Sequence, residues 1–89
     1  LSKKLINDVD KALCIAYYLE KFNGLTSFNK AEIEDGFRKA KEVVPENVTD
    51  KIQKNVKKGF MDEAKEKKEG NKSWVLTNSG EQRVESAGQ

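Results

Sequence analysis

Between Asp8 and Phe22 the apolar residues Val9, Ala12, Leu13, Ala16, Tyr17 and Leu19 recur with a helical period and make a broad apolar face. This predicts a first helix, closed by Asn23-Gly24, a pair suited to the left-handed backbone that ends helices. Leu25 to Phe28 is short and β-prone, either a brief strand or the entry to the next helix. From Lys30 to about Lys41, Ile33, Phe37 and Ala40 fall at i, i+4, i+7 and predict a second helix. Gly36 weakens that helix by about 1 kcal/mol relative to Ala and lets another helix come close. Pro45 cannot continue a helix and pushes Val44 to an extended backbone.

A third helix is expected from Val48 to Lys58, with Val48, Ile52 and Val56 as a narrow inward stripe. Its outward side then carries Asn47, Asp50, Lys54, Lys57 and Lys58, with Lys51 and Gln53 on the flanks. Gly59 stops it. Phe60–Ala64 and Ser73–Thr77 read as strands, because Trp74 and Val75 favour extended structure. The lysine-crowded connection from Lys65 to Lys72 contains the turn signal Gly70-Asn71. A short last helix, about Ser79 to Ser86, turns Val84 inward, and residues 87–89 read as a frayed tail.

Four asparagines are each followed three residues later by an acid: Asn7 and Asp10, Asn29 and Glu32, Asn47 and Asp50, Asn78 and Glu81. An Asn side-chain oxygen satisfies an orphan N–H at a helix start, and an acid in the first turn suits the positive end of the helix. The four repeats mark four helix starts. An isolated hairpin is marginal in water, so this one must pack against the helices. The fold class is α+β, one small domain over residues 1–86 with a three-helix core, a two-stranded hairpin and a short C-terminal helix.

Charge adds a direction. The net charge is only +2, yet residues 51–72 carry eight lysines and four acids, while residues 30–50 carry four basic and six acidic groups. The positive charge is concentrated on the third helix and the hairpin loop. Histidine is absent, which removes Ser-His and Cys-His catalysis and the commonest zinc ligand. Cys14 is the sole cysteine, so no internal disulfide forms, and its place in a helical apolar pattern makes it a buried core thiol. The close acid pairs, such as Glu34-Asp35 and Asp62-Glu63, belong to no recognisable cleft or calcium loop. No Gly-rich phosphate cradle occurs. The expectation is a non-enzyme without metal or cofactor. No apolar run reaches the ~18 residues of a membrane span; with four charges and no apolar core, Leu1–Asp10 is not expected to act as a signal peptide, and a cytoplasmic compartment is expected from the lone thiol. Because the sequence begins at Leu1, the domain is expected to be excised from a longer protein.

The stretches "NVKKGFMDEA" (Asn55–Ala64) and "WVLTNSGEQRV" (Trp74–Val84) carry a family resemblance. The first resembles the end of a recognition-type helix running into a wing strand. The second resembles the aromatic-x-Leu-Thr-x-x-Gly signature that closes a wing and opens the next helix. With the helix pair at 29–58, the chain resembles the winged helix-turn-helix class that includes MarR- and PadR-type regulators. The resemblance implies a DNA-binding module of a larger protein or transcriptional regulator, with double-stranded DNA as partner.

On that basis the DNA-binding residues are Asn47, Lys51, Gln53, Lys54, Lys57 and Lys58 of the third helix, with Lys65, Lys67, Lys68 and Lys72 of the wing. Asn47, Gln53 or Asn55 would lie nearest to base edges and the lysines would meet phosphates. The third helix holds no arginine and an acidic Asp50, which turns it toward phosphates rather than sequence readout. The other reading is a winged-helix protein-interaction or dimerisation module, with Tyr18 at the interface and a homodimer or covalently linked domain as partner. Trp74, Phe22, Phe28, Phe37 and Phe60 are assigned to the core.

Overall fold

A computed structural model describes residues 7–87. The elements run α1 (Asp8–Lys21), β1 (Phe28–Asn29), α2 (Lys30–Lys39), α3 (Val48–Lys57), β2 (Met61–Glu63), β3 (Ser73–Leu76) and α4 (Asn78–Ala87). Four helices pack with one three-stranded antiparallel sheet of order β1-β3-β2. This is a small α+β domain with a Cα radius of gyration of 11.8 Å. No helix among the described residues is long and apolar enough to cross a membrane. α4 runs through Ala87, one residue into the expected tail, and 88–89 lie outside the described residues.

α1 is the hub, touching α2, α3, α4 and β3. Its inward residues Ala12, Leu13, Ala16 and Leu19 are the expected face. They meet Ile33 and Phe37 of α2, Val48 and Ile52 of α3, and Phe28, Met61, Trp74 and Leu76 of the sheet in one core. Trp74 is 3% exposed and belongs to that core. Gly36 has the use expected of it: a Cβ there would run into the Ile15 side chain, so its absence lets α1 and α2 close up.

Three of the four asparagine starts cap as expected. Asn7 accepts from the Asp10 N–H, Asn29 from Glu32 and Asn47 from Asp50. At Asn29 the box is complete, because Glu32 Oε1 accepts from the Asn29 N–H at 3.0 Å. The short piece before α2 is both things the sequence offered: Phe28 and Asn29 pair with Trp74 and Ser73 as an edge strand, and Asn29 then caps the helix. The fourth start is shifted. α4 already includes Asn78, and Thr77 Oγ1 accepts the Gly80 N–H at 3.0 Å.

Other expectations change for local reasons. α2 ends at Lys39 because Ala40 is its C-cap and Lys41 takes φ 60°, so Ala40 is exposed rather than on the core stripe. The Lys41 and Glu42 N–H groups bond back to Arg38 and Phe37, which closes the end without a glycine. α3 does stop at Gly59, at φ 83°, with the Phe60 N–H bonding to Asn55 O and that of Gly59 to Val56 O. The hairpin turn is centred on Glu69-Gly70, one residue earlier than expected. Both take positive φ, and Lys68 and Asn71 bond reciprocally at 2.8 and 3.0 Å, as a two-residue hairpin turn requires.

β1 is too short to reach the far end of β3, and there Glu20 of α1 accepts the Leu76 N–H at 2.8 Å. Burial pushes the Glu20 carboxyl above its ordinary range, and this outweighs the opposing effect of the Leu76 bond and of Lys21, while Glu81 adds to it. A raised folded pKa means stability that is complete below the unfolded value and is lost as pH climbs through the folded value. Glu20→Gln keeps an acceptor for Leu76 and removes the buried charge. Thermal melts should therefore find this variant at least as stable as wild type at pH 7, with that advantage gone below about pH 4.

Candidate nucleic-acid interface

α3 with its two caps holds six of the ten proposed contact residues, and its inward stripe contains a polar residue as well as apolar ones. Val48, Ile52 and Asn55 stand at i, i+4, i+7 and all three are fully buried, while Val56 lies only partly against the core. The inward stripe is thus rotated from the expected Val48/Ile52/Val56 line. Asn55 does not reach toward bases. Its Nδ2 donates to Val9 O and Lys51 O, each at 3.0 Å, and ties α3 to α1. The i+7 spacing from Val48 was the signal that could have revealed this.

The outward face carries fewer unengaged charges than its composition suggests. Asp50 pairs with Lys54 at 3.1 Å and with Lys51 at 3.3 Å. The hydrogen bond from Lys54, with help from Lys51, holds the Asp50 carboxyl below its ordinary range against the opposing effect of partial burial. One acid therefore offsets two of the named lysines. Asn47 is exposed, but its oxygen is occupied by the Asp50 N–H, leaving its NH2 as the free end. Gln53 is half-buried.

Lys57 and Lys58 at the end of α3, and Lys65, Lys67 and Lys72 around the hairpin, are exposed. No ion pair engages any of these five among the described residues. Lys68 differs from them. It is half-buried, donates to Ser27 O at 2.9 Å and pairs with Glu32 at 2.9 Å, so it turns toward α2 rather than outward. The loop around it is ordered by its own bonds: Ser73 Oγ donates to Glu66 O at 2.7 Å and the Ala64 N–H to Ser73 O at 2.8 Å.

The Leu76-Thr77-x-x-Gly80 sequence has a mechanical role at the α3 exit. Thr77 Oγ1 donates to Gly59 O at 2.5 Å and accepts from the Gly80 N–H, while the Thr77 N–H bonds to Phe60 O at 3.0 Å. One threonine thus joins the end of α3, the entry to β2 and the start of α4.

A second surface lies between α1 and α2. A groove of about 410 Å³ is lined by Cys14, Ile15, Tyr18, Leu19, Gly36 and Ala40, among others. Ion pairs Lys11–Glu42 at 2.8 Å and Lys39–Asp35 at 3.2 Å join further residues of its lining. Tyr18 is 57% exposed and stacks on Phe22, with ring centroids 5.0 Å apart. Phe22 is 71% exposed and is not a core residue, because α1 ends at Lys21 and Phe22 is its C-cap, past the last inward position Leu19. Its neighbour Tyr17 packs partly on the core and donates its hydroxyl to Glu85 at 3.0 Å. Cys14 is half-buried at the groove wall, not a sealed core thiol, and burial raises its pKa above the ordinary range, so the thiolate is disfavoured.

Among the described residues, no three His, Cys, Asp or Glu side chains cluster as metal ligands would. No family model, curated protein or solved structure matches this chain.

Proposed function

We propose that the chain is a winged helix-turn-helix domain that binds double-stranded DNA through phosphates, as a module of a larger protein or regulator. The observation that carries this reading is the set of five exposed lysines without an ion-pair partner among the described residues, Lys57, Lys58, Lys65, Lys67 and Lys72, at the end of α3 and on the hairpin that follows it. The element order supports it, since helix, short strand, helix, helix, hairpin and helix is the layout the sequence resemblance implies. α3 serves as the groove-facing helix and the 64–72 hairpin as the wing. Specific base readout has little to work with, because Asn55 is buried and the oxygen of Asn47 is taken by its cap. Gln53 is the remaining amide on that face. Affinity is then electrostatic and tolerant of sequence.

The test is an NMR titration of the labelled domain with a mixed-sequence duplex at low and then moderate salt. Shifts should gather on residues 47–58 and 65–72. Neutralising about four phosphates gives a slope of log K against log salt of roughly −3.6. Silence of every amide at low salt sinks the reading.

A second reading has its own observation: the exposed Tyr18–Phe22 pair beside the α1–α2 groove. Two adjacent exposed aromatics over an apolar groove suit a protein partner, either a second copy or a linked domain. Sedimentation of wild type against Tyr18→Ser/Phe22→Ser separates self-association from DNA binding, which those changes leave intact.

A further inference from the structure

The hairpin and the start of α2 are fastened together through one carboxylate. Glu32 uses Oε1 to accept the Asn29 N–H at 3.0 Å, completing the helix cap. Its Oε2 pairs with Lys68 Nζ at 2.9 Å, and the same ammonium donates to Ser27 O at 2.9 Å. Lys68 reaches this position because the Glu69-Gly70 turn fixes its backbone, with Lys68 and Asn71 bonded across the turn. Both side chains of the pair are less than a third exposed, at 28% and 29%. Lys68 thus closes a strap from the hairpin tip across to Glu32 and Ser27 at the entry of α2, the latter 41 positions away in sequence.

We propose that Lys68 is a positioning residue: the Lys68–Glu32 strap holds the 64–72 hairpin in one orientation, so that Lys65, Lys67 and Lys72 meet a nucleic-acid backbone already arranged. The strap itself stands on geometry alone, while its use rests on the DNA-binding reading. Ordering a mobile hairpin on binding costs conformational entropy, and a hairpin ordered in advance avoids that cost. Lys68 therefore contributes to affinity without touching a phosphate, although it sits amid the lysines that do.

Two substitutions open the strap while sparing the rest. Lys68→Met keeps the stem and removes the donors. Glu32→Gln keeps an oxygen for the capping box and removes the charge. In the free protein, 15N relaxation and amide exchange should show residues 65–72 loosened in both variants. Exchange at Lys68 and Asn71 should rise about two- to fivefold, as expected for losing a partly exposed ion pair. The double variant should loosen the hairpin no further. Unchanged hairpin amides in both single variants overturn the strap.

In duplex titrations, Lys68→Met should weaken binding by a similar two- to fivefold factor with the salt slope unchanged. A slope shallower by about 0.9 would make Lys68 a phosphate ligand instead and overturn the positioning role. If neither wild type nor variant binds duplex, the DNA reading fails, and the free-protein measurement still decides the strap.

Discussion

Gly80→Ala should destabilise the domain by about 3 kcal/mol, a large share of the 5–15 kcal/mol typical of small domains. Helix propensity alone argues the opposite sign. Gly80 lies in the first turn of α4, and alanine is favoured over glycine inside a helix by about 1 kcal/mol. Packing decides otherwise. A Cβ at position 80 would be driven into the Phe60 carbonyl oxygen, with the Phe60 carbonyl carbon and Cα close behind. That carbonyl is main chain and is held in place by the Thr77 N–H at 3.0 Å, so it cannot swing aside as a side chain would. α4 must move off the α3 exit, and the Thr77 bonds to Gly59 and Gly80 go with it. Gly36→Ala is the internal comparison. There the obstacle is the Cγ2 methyl of Ile15, a side chain rather than main chain. It moves only through the χ1 of a β-branched residue in a helix, so Gly36→Ala is destabilising too, but by less, and the helix-propensity gain offsets part of it. Urea unfolding of both variants checks the pair. A Gly80→Ala domain as stable as wild type would show that the α4 start tolerates displacement.

The same residues explain what could be read from the sequence. Capping is local chemistry, one side-chain oxygen and one N–H three residues on, and three of the four asparagine starts were legible for that reason. The fourth failed because Thr77 and Asn78 are both competent caps, and the choice is made by Gly59 and Phe60, eighteen and seventeen residues away from Thr77 in the chain. The core stripe of α1 was legible from its helical period, and the hairpin strands from the β-favouring Trp74 and Val75 beside a Gly-Asn turn signal. The candidate site was less so. Lys68 resembles its neighbours in sequence, and only the fold brings Glu32 and Ser27 within reach of it. Phe22 follows an apolar face but falls at the helix cap, where the side chain leaves the core. Asn55 looks like a surface amide on a polar helix, yet the shift of the stripe from Val56 to Asn55 places it against α1.

Asn55→Asp should cost about 3–5 kcal/mol at pH 7 and much less in acid. The Asn55 amide is fully buried, and its NH2 faces two carbonyl oxygens, Val9 O and Lys51 O. Two acceptors fix which end of the amide points at them, and the opposite oxygen finds no protein donor among the described residues. A carboxylate in that place offers no donor and sets its charge against both carbonyls. Folding then favours the protonated acid, whose single O–H can serve one carbonyl. The folded pKa is raised, so the variant's stability falls as pH rises from the unfolded carboxyl range near 4 toward the folded value. Asn55→Leu separates the charge from the lost bond. It removes both amide bonds together with the orphaned oxygen, while Val9 O keeps its N–H partner inside α1, and it should cost only about 1–2 kcal/mol with no pH dependence. Urea melts of the two variants at pH 7 and pH 4.5 test this. Equal stabilities for Asn55→Asp at both pH values would mean that the site admits water and that α3 is not pinned to α1 through this amide. If the loss appears as expected, the buried Asn55 amide shares with Val48 and Ile52 the work of holding α3, and with it Lys54, Lys57 and Lys58, against α1.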